Sequence, residues 1–473
     1  MNPSLLLGAL ASLFLLAGCV PKTDTAMPLA LADVNADLDR EIDTYDRATL
    51  DETWWKGYGD PQLDSIVSEA LSHAPGLQAI EARTVQARSI IASAESANAP
   101  GVSADTETMR ERFSANHIFP APLGGNAHTL YHPSLGMRYE FDFWNARASQ
   151  VEAARNDAYA SKAYLAASRL ALEVSLCDTY LAWHYDEKRL NLLRELEKIS
   201  LEELSLSRTR YALGLAPRTE VREGEQRYRR ILQRIAAQGY LIEGRKKSLC
   251  VLAGFLPSRA SEFKTPRVSH RLRTPLPKEI VMDLLSHRPD VAVAKYTLLA
   301  KHHRIEHAKA QFYPNIVLSA NLGFTSFERS TLLEYASATP GIGIALSLPL
   351  FDGGEREANL QNAAGDYNAS VHEYNDVVIR AANEVVGLLK QSAWLEERIG
   401  AHHEELALRG ANEEAAWKKH RIGLCDKLPA LAERSGVLEG ELDGLEHESA
   451  MASLQIALIR SLGGGYRDLG AKE

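Results

Sequence analysis

The fold is decided by the stretch 145–213, which reads NARASQVEAARNDAYASKAYLAASRLALEVSLCDTYLAWHYDEKRLNLLRELEKISLEELSLSRTRYAL. These 69 residues contain neither glycine nor proline, and one face carries apolar residues at helical spacing, namely Val174, Cys177, Leu181 and Tyr185. A helix of this size would be about 100 Å long, because each residue adds about 1.5 Å. Helices of ordinary globular domains average only about three to four turns. The stretch therefore predicts an extended helical wall.

The same structural unit occurs twice, with an offset of about 210 residues. Three pairs of anchor residues recur in the same order: Pro100 with Pro314, Trp144 with Phe351, and Gly214 with Gly423. We therefore predict a duplicated unit of helix, β-hairpin, long helix and shorter helix. The first copy covers residues 62–254 and the second covers 278–463. A linker, 255–277, joins them, and a C-terminal tail, 464–473, follows.

Each predicted copy contains two segments in which apolar residues alternate with polar or small ones. The strands are predicted at about 102–113, 134–143, 316–325 and 341–348, with polar loops at 114–131 and 328–339. A tilted strand needs about 9–11 residues to cross the bilayer core, which these segments supply. A membrane strand is apolar towards lipid and polar towards water. A soluble, half-buried sheet shows the same alternation and remains the alternative.

Four strands in one sheet leave two open edges. Unpaired backbone groups at such edges are not tolerated in lipid. Bacterial barrels of this kind have at least about eight strands. If the strands span a membrane, several chains must therefore share one barrel, although the strands alone do not give the number of chains.

The N-terminus has the features of a secretory signal. Residues 1–18 carry no charged side chain, and the apolar stretch from Leu5 to Gly18 is too short for the ~20 residues of a membrane-spanning helix. It ends in Leu16-Ala17-Gly18-Cys19, which resembles the lipobox of bacterial lipoproteins. That resemblance implies cleavage before Cys19, acylation of Cys19 and a lipidated N-terminal segment, 19–61. A plain signal peptide with an incidental cysteine is the alternative.

Composition excludes some classes of function. The net charge of −9 gives no basic face for nucleic acid. Besides Cys19, the chain has Cys177, Cys250 and Cys425, and an odd number of thiols argues against a dense disulfide framework. Cys177 and Cys250 lie in apolar helical surroundings, so we predict that both are small core residues.

Several short motifs, in this order and spacing, resemble the TolC/OprM-like outer membrane factors of the NodT lipoprotein type. Besides the lipobox they are Trp54-Trp55, Gly59-Asp60-Pro61-Gln62-Leu63, Tyr139-Glu140-Phe141-Asp142-Phe143-Trp144, Arg288-Pro289-Asp290, Pro349-Leu350-Phe351-Asp352-Gly353-Gly354 and Leu462-Gly463-Gly464-Gly465-Tyr466. The resemblance covers nearly the whole mature chain. The sequence around Phe312-Tyr313-Pro314 and Leu350-Phe351-Asp352 is most similar to the branch linked to fusaric-acid and other aromatic-acid or drug efflux.

The resemblance implies a mainly α fold with a membrane β part, assembled as a homotrimer. Three chains would form a 12-stranded β-barrel in outer-membrane lipid and a long α-helical barrel that extends into the periplasm. Such a lipid-anchored duct would pass drugs or small organic molecules onward from a periplasmic membrane-fusion adaptor and an inner-membrane transporter. No cofactor is implied.

In this family the helix-turn-helix tips close the tunnel and contact the adaptor, which points to Arg210, Gly214, Glu220, Arg421, Gly423 and Asp426. Gly214 and Gly423 suit tight turns with positive φ. Three copies of Glu220 would form a ring that attracts cations. The equivalent position in the second copy is Pro429, so we expect an asymmetric gate, with Asp426 nearby but out of phase. Solvated turn charges are the alternative.

Other functions fit the sequence less well. No phosphate loop, kinase catalytic loop or nucleophile elbow is present, which argues against an enzyme. His303 and His307 are spaced for one helix face but lack a third ligand, so we predict no metal site. A periplasmic coiled-coil adaptor lipoprotein would explain the helices but not the strands. A type I secretion duct for polypeptides is a further alternative.

Overall fold

The computed structural model describes residues 23–30, 34, 51–116, 118–268 and 287–468. The predicted signal segment 1–18 and the predicted acylation site Cys19 lie outside the described residues, as do most of segment 19–61, part of the linker 255–277 and the last five residues.

Long helices dominate the described residues. The helices are α1 (Pro61–His73), α2 (Pro75–Ser96), α3 (Ala146–Ala212), α4 (Arg218–Ala253), α5 (Pro289–Ala310), α6 (Glu355–Arg421) and α7 (Leu428–Ser461). Helices α3 and α6 each contain 67 residues, which confirms the predicted pair of long helices. Within the described part of the chain, none of the helices has both the length and the apolar character needed to cross a bilayer.

The strands are β1 (Gly101–Arg112), β2 (Ala127–Phe141), β3 (Asn315–Phe324) and β4 (Ala338–Ser347). Strands β1 and β3 lie within one residue of their predicted bounds. Strand β2 begins seven residues before the predicted start at 134, and β4 begins three residues before 341. Both errors have one cause: Pro133 and Pro340 lie inside these strands, and proline usually marks a strand end because it cannot donate a ladder hydrogen bond. The loop between β1 and β2, 113–126, is correspondingly shorter than the predicted 114–131, whereas the loop between β3 and β4, 325–337, begins and ends earlier than the predicted 328–339.

The four strands form one antiparallel sheet in the order β1-β2-β3-β4. The register aligns apolar residues on one face, where Leu135 pairs with Leu322 and Leu318 pairs with Ile344. Ile342 and Ile344 on this face are 80% and 73% exposed in the single chain. The opposite face carries polar or small residues at Ser103, Asn321, Gly341 and Gly343. The predicted alternation is therefore present in β2, β3 and β4 and is weaker in β1, where Thr106, Thr108 and Arg110 continue the apolar face.

The chain divides into two compact units, and each contains segments of both predicted repeats. Among the described residues, the first unit comprises 23–28, 84–116, 118–161 and 294–374, and includes the sheet. In it, Ile305 packs against Leu360 and Ala364 in a small buried cluster.

Among the described residues, the second unit comprises 29–30, 34, 51–83, 162–268, 287–293 and 375–468. Its core forms where Trp54, Trp55 and Tyr58 pack against α1 and the middle of α3. Cys177 and Cys250 are buried free thiols, as predicted.

The motif around Asp60 fixes the N-terminal segment to this core. Tyr180 donates a 2.6 Å hydrogen bond from its hydroxyl to Oδ2 of buried Asp60, and Asp60 Oδ1 accepts from the backbone N–H of Gln62 at the start of α1. The backbone N–H of Arg267 also donates to Asp60 Oδ2, at 2.7 Å. Three segments that are distant in sequence therefore meet at one carboxylate.

The Arg288-Pro289-Asp290 motif connects distant segments in the second repeat, as the motif around Asp60 does in the first. The buried Arg288 guanidinium donates to Asp290, to Glu384 on α6 at 2.9 Å and to the carbonyl of Ser461 at 3.0 Å. It thereby ties the start of α5 to α6 and to the end of α7.

Candidate functional site at the helix-hairpin turns

The turn between α3 and α4 is a glycine-terminated helix end. Gly214 has φ of +72°, a left-handed conformation that only glycine adopts without strain. The backbone N–H of Leu215 donates to the carbonyl of Arg210 at 2.8 Å, and the N–H of Gly214 donates to Tyr211. This pattern satisfies carbonyls that the end of α3 would otherwise leave unpaired.

The turn between α6 and α7 repeats this geometry. Gly423 has φ of +77°, the N–H of Leu424 donates to the carbonyl of Lys419 at 2.9 Å, and the N–H of Gly423 donates to His420. Both glycines therefore occupy the predicted tight turns with positive φ.

Arg210 connects the two hairpins within one chain. Its guanidinium contacts the carboxylate of Asp426, which lies in the α6–α7 turn. On its other side, Nε of Arg210 lies 3.6 Å from Oε1 of Glu220, in the first turn of α4. Three of the six residues singled out from sequence are thus brought together, and one cation lies between two carboxylates.

Asp426 has a second contact that explains its orientation. Its Oδ1 accepts a 3.2 Å hydrogen bond from the backbone N–H of Leu428, the first residue of α7. One carboxylate oxygen therefore contacts the start of α7 while the other faces Arg210. Sequence position alone suggested that Asp426 is out of phase with Glu220; the structure places both on the same arginine.

Arg421 is not part of this cluster. It is exposed at the end of α6 and makes no hydrogen bond or ion pair with any residue in the described ranges. The neighbouring Lys418 instead pairs with Glu414 on the same helix, at 2.8 Å.

Two further contacts at the turns were not predicted. Lys427 contacts the carboxylate of Glu202 on α3, and its Nζ lies 5.7 Å from the ring centre of Trp417 on α6. Arg208 donates a 2.7 Å hydrogen bond to Glu225 on α4, and this bond is the main cause of the lowered pKa of Glu225. Glu202 lies two turns before Arg210 on α3, so helical spacing from Arg210 could have identified it.

The paired histidines have ordinary structural contacts. Nδ1 of His307 lies 2.8 Å from the carbonyl of Ala146, and its Nε2 lies 3.2 Å from Gln150. Across the described ranges, no group of three or more His, Cys, Asp or Glu side chains could hold a metal ion.

Comparison with known proteins agrees with the observed fold. A family model described as outer membrane efflux protein matches residues 66–253 and again residues 280–464, which confirms the duplication. The fusaric acid resistance protein FusA of Burkholderia cepacia is 31% identical over 379 residues, covering 78% of this chain and 70% of FusA. The multidrug resistance outer membrane protein MdtP of Escherichia coli O6:H1 is 27% identical over 472 residues, covering 98% of this chain and 96% of MdtP.

Solved structures are similar over most of the chain. The outer membrane protein VceC of Vibrio cholerae gives a TM-score of 0.82 at 26% identity, covering 88% of this chain and 100% of VceC. The CmeC outer membrane channel of Campylobacter jejuni gives a TM-score of 0.82 at 20% identity, covering 90% of each chain. The chain belongs to the outer membrane efflux protein family and is a channel protein, not an enzyme.

Proposed function

We propose that three copies of this chain form a continuous duct across the outer membrane and into the periplasm. The observation that carries the proposal is the open four-stranded sheet. Strands β1 and β4 are its edges, and because all neighbours are antiparallel they run in opposite directions. Strand β4 of one copy can therefore pair with β1 of the next and continue the same pattern. Three copies give 12 strands, above the minimum of about eight for a bacterial barrel.

The exposed apolar face of the sheet supports a membrane location. Ile342, Ile344 and Leu346 point to one side of β4, and all three are at least half exposed. An exposed apolar area of this kind marks an interaction site or a membrane surface. The opposite face, with its polar and small residues, suits the water-filled interior of a channel.

The proposed gate is the cluster of Arg210, Glu220 and Asp426. It holds the α3–α4 hairpin to the α6–α7 hairpin, so breaking it would let the two hairpins separate. Gly214 and Gly423 form the turns, and Arg421 contributes positive charge at the same end of α6. Within the trimer, this asymmetric cluster would narrow the periplasmic entrance.

The chain would act with a periplasmic membrane-fusion adaptor and an inner-membrane transporter, and acylation at Cys19 would anchor it to lipid. The proposed cargo is small organic molecules. Similarity to FusA and MdtP, named for fusaric acid resistance and multidrug resistance, supports this class over polypeptides.

The experiment that tests the duct is conductance of the purified protein in planar bilayers, together with its migration before and after heating. The expected result is a trimer that dissociates on heating and forms discrete channels. A protein that stays soluble without detergent and forms no channels would favour the periplasmic adaptor lipoprotein and contradict the duct.

A further inference from the structure

A cavity of about 700 Å³ lies between α3, α4 and α7, and none of the three residues Arg210, Glu220 and Asp426 lines it. Its volume is within the range of about 300–1,000 Å³ that is typical of small-molecule sites. The lining residues are Leu196, Ser200, Glu203, Arg227, Arg230, Ile231, Arg234, Leu428, Ala432, Ser435, Gly436 and Glu439. The lining thus combines an apolar surface with three arginines.

The three arginines differ in how closely they are paired with carboxylates. Arg234 makes two hydrogen bonds to the carboxylate of Glu439, at 2.5 and 3.1 Å, and is fully paired. Arg227 is only loosely paired, with Nε 3.9 Å from Oε2 of Glu203. Arg230 makes no hydrogen bond or ion pair with any residue of the described ranges. One guanidinium at the cavity is therefore exposed and not paired with a carboxylate of the described ranges.

A buried hydroxyl adds a second polar group to the lining. Ser200 is only 3% exposed, and its Oγ has no hydrogen-bond partner within the described ranges. Nearby, Ser435 donates a 3.3 Å hydrogen bond to Glu203, so that serine is already satisfied. An unpaired buried hydroxyl is costly, and a ligand oxygen would satisfy it.

The apolar part of the lining comes from all three helices. Leu196 belongs to α3, Ile231 to α4, and Leu428 and Ala432 to α7. A ligand that fills the cavity would therefore touch every helix of the group and link them.

We propose that this cavity binds a small monoanionic amphiphile, a carboxylate with a short apolar tail. The carboxylate pairs with Arg230, with Arg227 as its second neighbour, and an oxygen of the ligand accepts from Ser200. The tail lies against Leu196, Ile231 and Leu428. Because two of the three arginines already face carboxylates, a single negative charge fits better than a dianion.

The test is isothermal titration of the full-length protein in lipid nanodiscs with octanoate, corrected with protein-free nanodiscs. Octanamide, which has the same shape without the charge, is titrated in parallel. A charge-assisted hydrogen bond makes octanoate bind about tenfold or more tightly than octanamide. Equal affinities for the two compounds would overturn the proposal.

Two variants locate the site. Arg230→Ala weakens octanoate binding by about tenfold or more, since it removes the unpaired guanidinium. Arg222→Ala is the matched control, because Arg222 is also exposed on α4 and without a partner in the described ranges, but does not line the cavity. An equal loss in both variants would indicate general charge attraction and overturn the proposal.

A third variant tests the cavity itself. Gly436 lines it, and a Cβ built there meets no atom within 4 Å. The first atom of a side chain therefore fits there, Gly436→Met fills part of the cavity, and binding of octanoate should be lost. Undiminished binding in this variant would contradict the assignment. Because the readout is ligand affinity, failure of this test is independent of whether the trimer conducts.

Discussion

The guanidinium of Arg210, in the last turn of α3, contacts the carboxylate of Asp426, which lies 216 residues further along the chain. This contact joins the hairpin of the first repeat to that of the second. Both side chains are between one third and one half exposed, so the ion pair is partly screened by solvent.

Breaking this contact should open the proposed gate. An exposed ion pair contributes about 0.2–1 kcal/mol, so Asp426→Asn should raise the open fraction of the channel by at most about fivefold. The measurement is single-channel recording in planar bilayers. Asp376→Asn is the control, since it breaks a similarly exposed ion pair, with Arg380 on the same helix, that lies away from the turns, and it should leave the open fraction unchanged. Equal effects in the two variants would argue against a specific role for Asp426.

A side chain at either turn glycine should destabilise the protein. At Gly214 and Gly423 a Cβ meets no neighbour within 4 Å, so the penalty comes from the left-handed backbone alone. Substitution by alanine should lower the free energy of unfolding by about 1–2 kcal/mol at either site. The control is Gly239→Ala, inside α4 and equally open, which should instead stabilise by about 0.5–1 kcal/mol. Urea titration measures both, and a stabilising Gly214→Ala would contradict the turn geometry.

Titration of Glu173 should make the free energy of unfolding depend on pH. Burial raises its pKa to about 7, against smaller opposing effects from Trp54 and Arg169. Between the ordinary pKa of about 4.5 and about 7, the folded state binds more protons than the unfolded chain. Stability from this group is therefore fully present below pH 4.5 and lost as the pH rises through about 7.

The variant Glu173→Gln tests this dependence. It should be more stable than the parent at pH 8, by on the order of 1–2 kcal/mol, with no difference at pH 4. Thermal unfolding at both pH values provides the measurement, and Glu81→Gln, at an exposed position on α2, is the control. A pH-independent difference would show that Glu173 does not titrate in this range.

The hydrogen bonds of Arg288 should contribute strongly to the free energy of unfolding. Its side chain is 7% exposed and donates to two carboxylates and one carbonyl. Hydrogen bonds to charged groups contribute about 1.5–3 kcal/mol, so Arg288→Leu should destabilise by about 2–3 kcal/mol or more. Arg380→Ala, whose guanidinium is 71% exposed, should cost less than about 0.5 kcal/mol. Comparable losses in urea titrations of the two variants would refute this role of Arg288.

Local periodicity in the sequence predicts the helices and part of the contacts between them. On α7, Leu431, Leu438 and Leu442 recur at intervals of seven and four residues, are all buried and form one apolar seam, whereas Leu445 is only partly buried. Leu438 and Leu442 pack with Leu193 and Leu196 of α3. Such a seam is visible in sequence because each position repeats the same requirement for an apolar side chain.

The starts of the strands and the contacts between the helix-hairpin turns are harder to predict from sequence. Pro133 and Pro340 interrupt the local pattern, although the register of neighbouring strands continues past them. The partner of Arg210 depends on how two distant hairpins pack, which no local spacing records. The cavity at Arg230 also arises only from the packing of α3, α4 and α7.

The central claim, that several copies close one sheet into a shared barrel, can be tested by cross-linking its edges. Strands β1 and β4 of one chain are separated by two other strands, so they lie about 14 Å apart across a flat sheet. A disulfide requires Cα atoms within about 7 Å and therefore cannot form between them inside one chain.

The most direct measurement is oxidation of chains with Ser103→Cys on β1 and a second cysteine at Gly343, Ala345 or Ser347 on β4, in a Cys425→Ser background. These positions lie on the same face of the sheet. The prediction is a covalent trimer in denaturing gels for at least one pair, reversed by reductant and absent from each single-cysteine variant. Only monomers for all three pairs would contradict the shared barrel.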